Sequence, residues 1–260
     1  MSTKVAVVGA SGRLGQLICR LIEGADDFEL IARLGSASDL AEMVGADVVV
    51  DVTVPGASAS IVDFAVEHDL RVLVGTSGWS AERITRLQTR VAEHPKSGVV
   101  IIPNFSLGSM LATRFAVLAA RFFDSIEIIE THHASKVDSP SGTAVRTAEL
   151  MQVARADRGP VAAPHADQRA RGQKVSSIPI HSLRLAGVSA RQDVVMAGDG
   201  ELLTISHETL SSSSYEAGVM VALRAAAEAT GVTVGLDALM DRQASARDGS
   251  DPGHSQGNPG

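Results

Sequence analysis

The run Lys4-Val5-Ala6-Val7-Val8-Gly9-Ala10-Ser11-Gly12-Arg13-Leu14-Gly15-Gln16-Leu17-Ile18 opens as a β-branched strand, turns through three glycines and leaves as a helix. Leu14, Leu17, Ile18 and Leu21 fall at the three- and four-residue spacing of one helix face. Glycine at 9, 12 and 15 keeps side chains away from a pyrophosphate, and the helix start offers N–H groups and the positive end of its dipole. The spacing is G-x-x-G-x-x-G rather than G-x-G-x-x-G. Alone, such a cluster also reads as a tight turn, but its place directly after a first strand favours a dinucleotide site. Gly9, Ser11, Gly12, Arg13 and Leu14 are the candidate cofactor contacts here. Arg13 reads equally as a phosphate contact or as a solvated arginine.

Working outward, Phe28 to Arg33 is a second strand, at whose end an NAD-selective site usually places an acid for the ribose hydroxyls. Here the chain reads Arg33-Leu34-Gly35-Ser36. An arginine and a serine suit a 2′-phosphate, so NADPH is the preferred cofactor with NADH as the second choice; Arg33 also reads as a surface arginine. Asp47 to Thr53 is a third strand, ended by Pro55 and Gly56, and Ala57 to His68 is helical. Arg71 to Val74 is a fourth strand running into the turn Gly75-Thr76-Ser77-Gly78. A helix from Ala81 to Glu93 and a fifth strand from Gly98 to Ile102 lead to Pro103-Asn104-Phe105-Ser106. Strands alternating with helices give an α/β fold, a Rossmann-type doubly wound parallel sheet, with its ligand beyond the carboxyl ends of the strands. Those ends are the glycine turn, Val52-Thr53-Val54-Pro55, Gly75-Thr76-Ser77 and Pro103-Asn104-Phe105; as turn chemistry alone they mean little.

Leu107 to Phe123 carries Ala, Leu, Met and Phe at helical spacing and predicts a largely buried helix, with Met110 and Phe115 in the core. Ser125 to Glu130 is a strand, and Thr143 to Ala154 a helix with Ala144, Ala148 and Met151 on one face. Arg155 to Gln173 lacks periodicity and reads as an exposed, mobile insertion. Ser177 to Leu185 is extended, and Asp193 to Met196 pairs with Leu202 to His207 about the turn Asp199-Gly200. Gln192, Val194 and Met196 alternate with Asp193, Val195 and Ala197, so this sheet has two faces to cover. A helix covers one, and a second subunit is the simplest cover for the other. Tyr215 to Thr230 is a last helix with Val219, Leu223 and Ala226 as its apolar line and Gly231 as its stop. Asp241 to Gly260 has no apolar anchor and reads as a disordered tail.

The 260 residues carry 23 Lys and Arg against 30 Asp and Glu, a net charge of −7. That balance weighs against a nucleic-acid partner, which calls for a basic face, and favours small molecules. Cys19 is the only cysteine, so neither an internal disulfide nor a thiolate cluster can form. With no charged leader, no apolar stretch of spanning length and a reduced lone thiol, the expectation is a cytoplasmic protein without a membrane partner.

Most of the chemistry lies in Glu130-Thr131-His132-His133-Ala134-Ser135-Lys136-Val137-Asp138-Ser139-Pro140-Ser141-Gly142-Thr143-Ala144. Vicinal histidines on a strand point to opposite faces, which weighs against a shared metal unless the strand has already ended. No carboxylate is placed as a third ligand, and no metal is expected. A histidine can hold or release a proton near neutral pH, and Lys136 can neutralise a substrate carboxylate or donate a proton. Ser141-Gly142-Thr143 opens a helix whose first N–H groups can hold an anion. Singly, each of these also reads as a structural residue; their conjunction in a dinucleotide protein favours a site.

His132-His133-x-x-Lys136-x-Asp138-x-Pro140-Ser141-Gly142-Thr143-Ala144, preceded by Glu130, resembles the signature of the 4-hydroxy-tetrahydrodipicolinate reductase family of the diaminopimelate route to lysine. The glycine loop, Gly75-Thr76-Ser77-Gly78, Pro103-Asn104-Phe105-Ser106, Arg184-Leu185-Ala186-Gly187 and the closing helix match in order, so the resemblance runs from Lys4 to about Met240. It implies a dinucleotide-binding domain of residues 1–106 and 215–240. Residues 107–214 would form an α+β domain whose mixed open sheet holds substrate and builds a homotetramer, leaving 241–260 as the tail. A nicotinamide would deliver hydride to C4 of a cyclic dicarboxylate, with loss of water. By motif position, His132 would be the proton donor and Lys136 its catalytic partner, while His133, Lys136, Ser141, Gly142 and Thr143 would hold the substrate carboxylates; Gly9, Gly12, Arg13, Gly75, Thr76 and Asn104, with Arg33, Ser77, Pro103 and Phe105 beside them, would line the cofactor. The end of the second strand lacks the acid that family members often carry, which argues against dual NADH and NADPH use. Ser77 and Ser139 stand where Thr and Ala are expected, and Ser11 supplies no positive charge. Two other readings are a non-catalytic dinucleotide sensor and another nicotinamide-linked reductase of a small dicarboxylate.

Overall fold

A computed structural model describes residues 2–165 and 167–241. The first elements are β1 (Thr3–Val8), α1 (Arg13–Glu23), β2 (Phe28–Leu34), β3 (Val48–Asp51), α2 (Pro55–Glu67), β4 (Arg71–Val74), α3 (Ala81–Glu93) and β5 (Gly98–Ile101). They are followed by α4 (Leu107–Ala120), β6 (Ser125–His133), α5 (Gly142–Ala154), β7 (Gln173–Val175), β8 (Ile178–Leu185), β9 (Ala190–Gly198) and β10 (Glu201–Thr209). The last are α6 (Glu216–Ala227) and β11 (Gly231–Val234). Two compact units result: the chain up to Phe105 together with the part from Glu216 onward, and Ser106–Tyr215.

The first unit is a six-stranded sheet in the order β2-β1-β3-β4-β5-β11, parallel throughout. Its central strands are buried on both faces, which is why Val5 to Val8 and Val48 to Val50 read as unbroken apolar runs rather than alternating ones. Strand order reverses between β1 and β3, and at such a reversal the turns that follow neighbouring strands diverge and leave a crevice. The sixth strand, β11, is absent from the sequence expectation, which took Gly231 only as a helix stop. Gly231 has φ +69°, so it both ends the excursion from α6 and starts a strand that pairs with β5 from Gly98 to Ile101.

The second unit is a five-stranded sheet, β10-β9-β6-β8-β7, in which β6 and β8 are parallel and the other pairs antiparallel. Ile126, Ile128, Ile180, Val194 and Met196 face α4 and α5 and form one core with Ala116, Ala120, Ala144, Ala148 and Met151. Gly200, at φ +77°, makes the β9–β10 turn as expected.

Several expectations need correction. The helix predicted over 107–123 ends at Ala120 and is only half buried, because small residues such as Ala116 and Ala120 meet the sheet while Leu111, Phe115 and Leu118 are exposed. Phe115 is therefore not a core residue. The stretch 155–173 is not wholly exposed: Arg155 and Val161 are buried, and short 3-10 turns cover Ala156–Arg158 and Arg169–Arg171. The last helix spans Glu216–Ala227, with a 3-10 turn over Ser212–Tyr215 before it. Of the tail expected over 241–260, Asp241 closes a helical turn over 236–241, and 242–260 lies outside the described residues. Among the described residues no helix is long and apolar enough to cross a membrane.

Candidate active site

The glycine turn fits a pyrophosphate by its backbone. Gly9 has φ +88°, and a Cβ on it would meet the Val52 carbonyl oxygen at 2.6 Å, so the turn lies against the end of β3. A Cβ on Gly15 would run into the Gly9 carbonyl, so α1 is held close to the turn. Gly12, whose N–H donates to Gly9 O at 3.0 Å, is the N-cap of α1 and supplies no side-chain cap, and the first turn has no acid. By contrast α3, α4 and α5 are each capped by a serine hydroxyl, from Ser80, Ser106 and Ser141. An uncapped helix start at the reversal point of a parallel sheet is suited to an anion. Ser11, Gly12 and Arg13 are exposed there, and Leu14 is half-buried.

The other cofactor candidates fall at the ends of β4 and β5. Gly75 lies against the Phe105 ring, where a Cβ would meet Cε2 at 2.7 Å, so buried Phe105 acts here through packing. Thr76 is buried and its hydroxyl donates to Asp51 O at 3.4 Å. Ser77 and Pro103 are exposed and Asn104 half-buried. Arg33 stands apart in one respect: its guanidinium already pairs with Glu23 of α1. A 2′-phosphate there has to compete with that carboxylate.

One residue of this edge was missed from sequence. Asp51 is fully buried at the end of β3, and its carboxylate accepts Thr53 N–H at 3.1 Å, Thr53 Oγ1 at 2.5 Å and the Ser58 hydroxyl. Trp79 Nε1 donates to the same Ser58 oxygen at 3.1 Å. This network fixes the turn from β3 into α2 beside Gly9. An acid ending an apolar strand was the available signal.

In the second unit, β6 runs on through His133 instead of ending at Glu130. It is paired on both sides, to β8 as far as His133 and to β9 as far as His132, and those ladders hold it extended. The two histidines therefore face opposite ways. His132 lies opposite Arg184 on the helix-covered face, whereas His133 lies opposite Leu185 and its Nδ1 is 2.8 Å from Ser135 Oγ. Lys136 donates from Nζ to both oxygens of Asp138, at 2.7 and 2.8 Å, and holds that carboxyl below its usual range. Ser141 caps α5 through Ala144 N–H, and the first turn of α5 carries no acid. The space where a Gly142 side chain would stand is open.

Glu130 ties these parts together, and sequence reading gave it no role. Its side chain is fully buried. Oε2 is 2.6 Å from His132 Nδ1 and accepts Arg184 Nη1 at 2.9 Å; Oε1 accepts Arg184 Nη2 at 3.0 Å and Ser141 N–H at 3.2 Å. Arg184 Nη2 also donates to Asp138 O at 2.7 Å, fastening the loop between β6 and α5. Burial alone would push the Glu130 carboxyl up, but hydrogen bonds from Arg184, Ser182 and His132 together hold it below the usual range. Burial pushes His132 down; Glu130 opposes this, and the charges of Lys136 and Arg184 add to it. The site thus has a neutral-leaning imidazole, a fixed anion beneath it, two cations and a serine-capped helix start with open space at Gly142.

Comparison with known proteins agrees along nearly the whole chain. Residues 3–105 match the family model "Dihydrodipicolinate reductase, N-terminus", and residues 108–240 match "Dihydrodipicolinate reductase, C-terminus". The 4-hydroxy-tetrahydrodipicolinate reductase of Clavibacter sepedonicus is 63% identical over 245 residues, covering 94% of this chain and 88% of that one. That of Streptomyces griseus is 43% identical over 244 residues, covering 92% and 98%. A solved structure, dipicolinate-bound dihydrodipicolinate reductase from Paenisporosarcina sp. TG-14, superposes with a TM-score of 0.77 at 27% identity, covering 91% of this chain and 99% of that chain. GenD2 from gentamicin A biosynthesis, solved with NAD, has a TM-score of 0.60 at 12% identity over 96% of this chain and 95% of its own, a likeness of fold. With both halves of the sequence matched and relatives this similar over most of their length, the chain belongs to the dihydrodipicolinate reductase family.

Proposed function

We propose that His132 is the proton donor in the reduction of 4-hydroxy-tetrahydrodipicolinate to tetrahydrodipicolinate, with loss of water and with hydride delivered to C4 of the ring. The protein is a nicotinamide-dependent reductase acting on a small dicarboxylate, so the reading as a non-catalytic sensor is set aside. When bound, the reduced nicotinamide supplies the hydride. Gly9, Gly12 and the first turn of α1 hold its pyrophosphate, with Arg13, Ser11 and Leu14 beside them. Gly75, Thr76, Ser77, Pro103, Asn104 and Phe105 form the wall at the other strand ends. Thr53, fixed by Asp51, adds a hydroxyl on the β3 side.

On the substrate side, the N–H groups of Gly142 and Thr143 take one carboxylate at the helix start, where backbone donors and dipole act together. Lys136 exchanges Asp138 for substrate; His133 keeps the substrate role that the resemblance implies, although β6 turns its ring to the other face from His132. Burial, first of all, lowers the proton affinity of His132. A dianionic substrate beside it raises that affinity, so the imidazole takes up the proton it will give only once substrate is in place. The observation that carries this reading is that the imidazole and the substrate-holding helix are fastened to the same buried carboxylate.

NADPH is the preferred cofactor, on the strength of Arg33 and Ser36 and the absence of an acid there, with the Glu23 pair as the cost of that preference. A homotetramer is supported by the uncovered face of the five-stranded sheet, where exposed Leu183, Leu185 and Leu202 lie among the Glu127–Arg171 and Arg191–Asp193 pairs. The single buried cysteine suits a reducing cytoplasm. Oxidation of NADPH in the presence of aspartate semialdehyde, pyruvate and the upstream synthase tests the activity. Steady oxidation that depends on this protein is expected; none above the synthase-only background would refute it.

A further inference from the structure

The helix-covered face of β6 and β8 is apolar as far as Ile128 and Ile180, and the next rung sets Glu130 opposite Ser182. A carboxylate placed there is costly to bury unless its lone pairs are used. The Arg184 fork satisfies one lone pair on each oxygen, which is all that a structural ion pair needs. The remaining acceptor positions go to His132 Nδ1 and to Ser141 N–H, the two parts of the site that have to be in register.

We propose that Glu130 is a positioning residue for the reduction: it accepts Nδ1–H of His132, which fixes the tautomer that leaves Nε2 to carry and give the proton. With its other oxygen it holds the α5 start at a set distance from that nitrogen. This rests on the reading of His132 as proton donor. No described residue engages Nε2, so it is the ring atom left for substrate. Arg184 keeps Glu130 an acceptor, because a buried carboxyl without a counter-charge takes up a proton and becomes a donor. The register His132 to Arg184 across β6 and β8 builds this into the sheet.

The charged groups facing the imidazole are Glu130 on its own strand, Arg184 on β8, and Lys136 with its partner Asp138 in the following loop. Glu130 strengthens the hold of His132 on its proton and the two cations weaken it. Removing the Glu130 charge leaves the cations unopposed, so His132 loses its proton at a lower pH.

The test is kcat and KM against pH for wild type, Glu130→Gln and the charge-retaining Glu130→Asp. For Glu130→Gln, kcat should fall about 100-fold while KM for the dicarboxylate changes by less than about 3-fold. The alkaline limb of kcat should move to lower pH, and Glu130→Asp should recover part of both the rate and the limb. An unmoved limb in the Gln variant shows a structural role and overturns the proposal. Because Glu130→Gln leaves the half-buried Arg184 without its counter-charge, a second measurement needs no variant: 15N NMR of the wild-type His132 ring above the limb. The Nδ1–H tautomer is expected, and the Nε2–H tautomer overturns the proposal even if the variants do not fold. An active wild type with an unmoved limb in the variant refutes the positioning role alone. A wild type inert toward substrate and NADPH refutes the reading beneath it.

Discussion

His132 is held between burial and two cations that weaken its grip on a proton and a carboxylate that strengthens it. Replacing it with Ala should lower kcat by roughly 100- to 10,000-fold, read in the NADPH assay; a near-normal rate would remove it from the mechanism. Arg33 tests cofactor choice. NADPH should bind more tightly than NADH, and Arg33→Asp should narrow or reverse the gap in Kd measured by fluorescence titration. Equal affinities in the wild type would mean that Glu23 keeps the guanidinium occupied. At this scale the sequence exposes His132, Lys136 and Ser141-Gly142-Thr143, because they share one short stretch with recognisable chemistry. It hides what Arg184 does, since the arginine reaches Glu130 only through the parallel pairing of β6 and β8 across 54 residues. It hides the role of Asp51 for a related reason: an acid in an apolar strand gains a role only once Thr53 and Ser58 have folded back onto it.

Among the elements, the two helix starts respond differently to one added methyl. At Gly15 a Cβ has no room against the Gly9 carbonyl, so Gly15→Ala should cost about 2 kcal/mol, seen as a lower Tm, and weaken cofactor binding as α1 shifts. At Gly142 a Cβ meets nothing, so Gly142→Ala should leave stability within about 0.5 kcal/mol of wild type. Its methyl would nevertheless stand over the proposed carboxylate site and raise the substrate KM about tenfold or more, near 1.4 kcal/mol. A Gly142→Ala enzyme with an unchanged KM would move the carboxylate elsewhere. The parallel sheet was legible because its strands are buried on both faces and its helices are regular. Element ends were less so. β6 outruns its apolar pattern because ladders on both sides carry polar His132 and His133 along, and β11 is too short to signal beside Gly231. The length of α4 and its burial are not legible in the sequence, because apolar content does not say which face meets the sheet.

For the molecule as a whole, the depressed proton affinities of His132 and His207, both caused first by burial, set a pH dependence of stability. The unfolded chain binds these protons near the ordinary 6.5 and the folded chain only below it, so folding loses stability as pH falls from about 6.5 through the folded values. Tm of the cofactor-free protein should be flat above pH 7 and fall toward pH 5; a flat profile across that range would mean that neither histidine is buried as described. The outer face of the five-stranded sheet tests assembly. Leu202→Asp should shift sedimentation from tetramer to smaller species, and a wild type that sediments as a monomer would refute the tetramer. The central claim is that this chain passes hydride from a nicotinamide to C4 of a cyclic dicarboxylate. It is tested most directly with NADPH deuterated at the nicotinamide C4, followed by NMR of the product. One deuterium at C4 of tetrahydrodipicolinate is the expected result. Product without that label, or cofactor oxidised with no reduced ring formed, would contradict it.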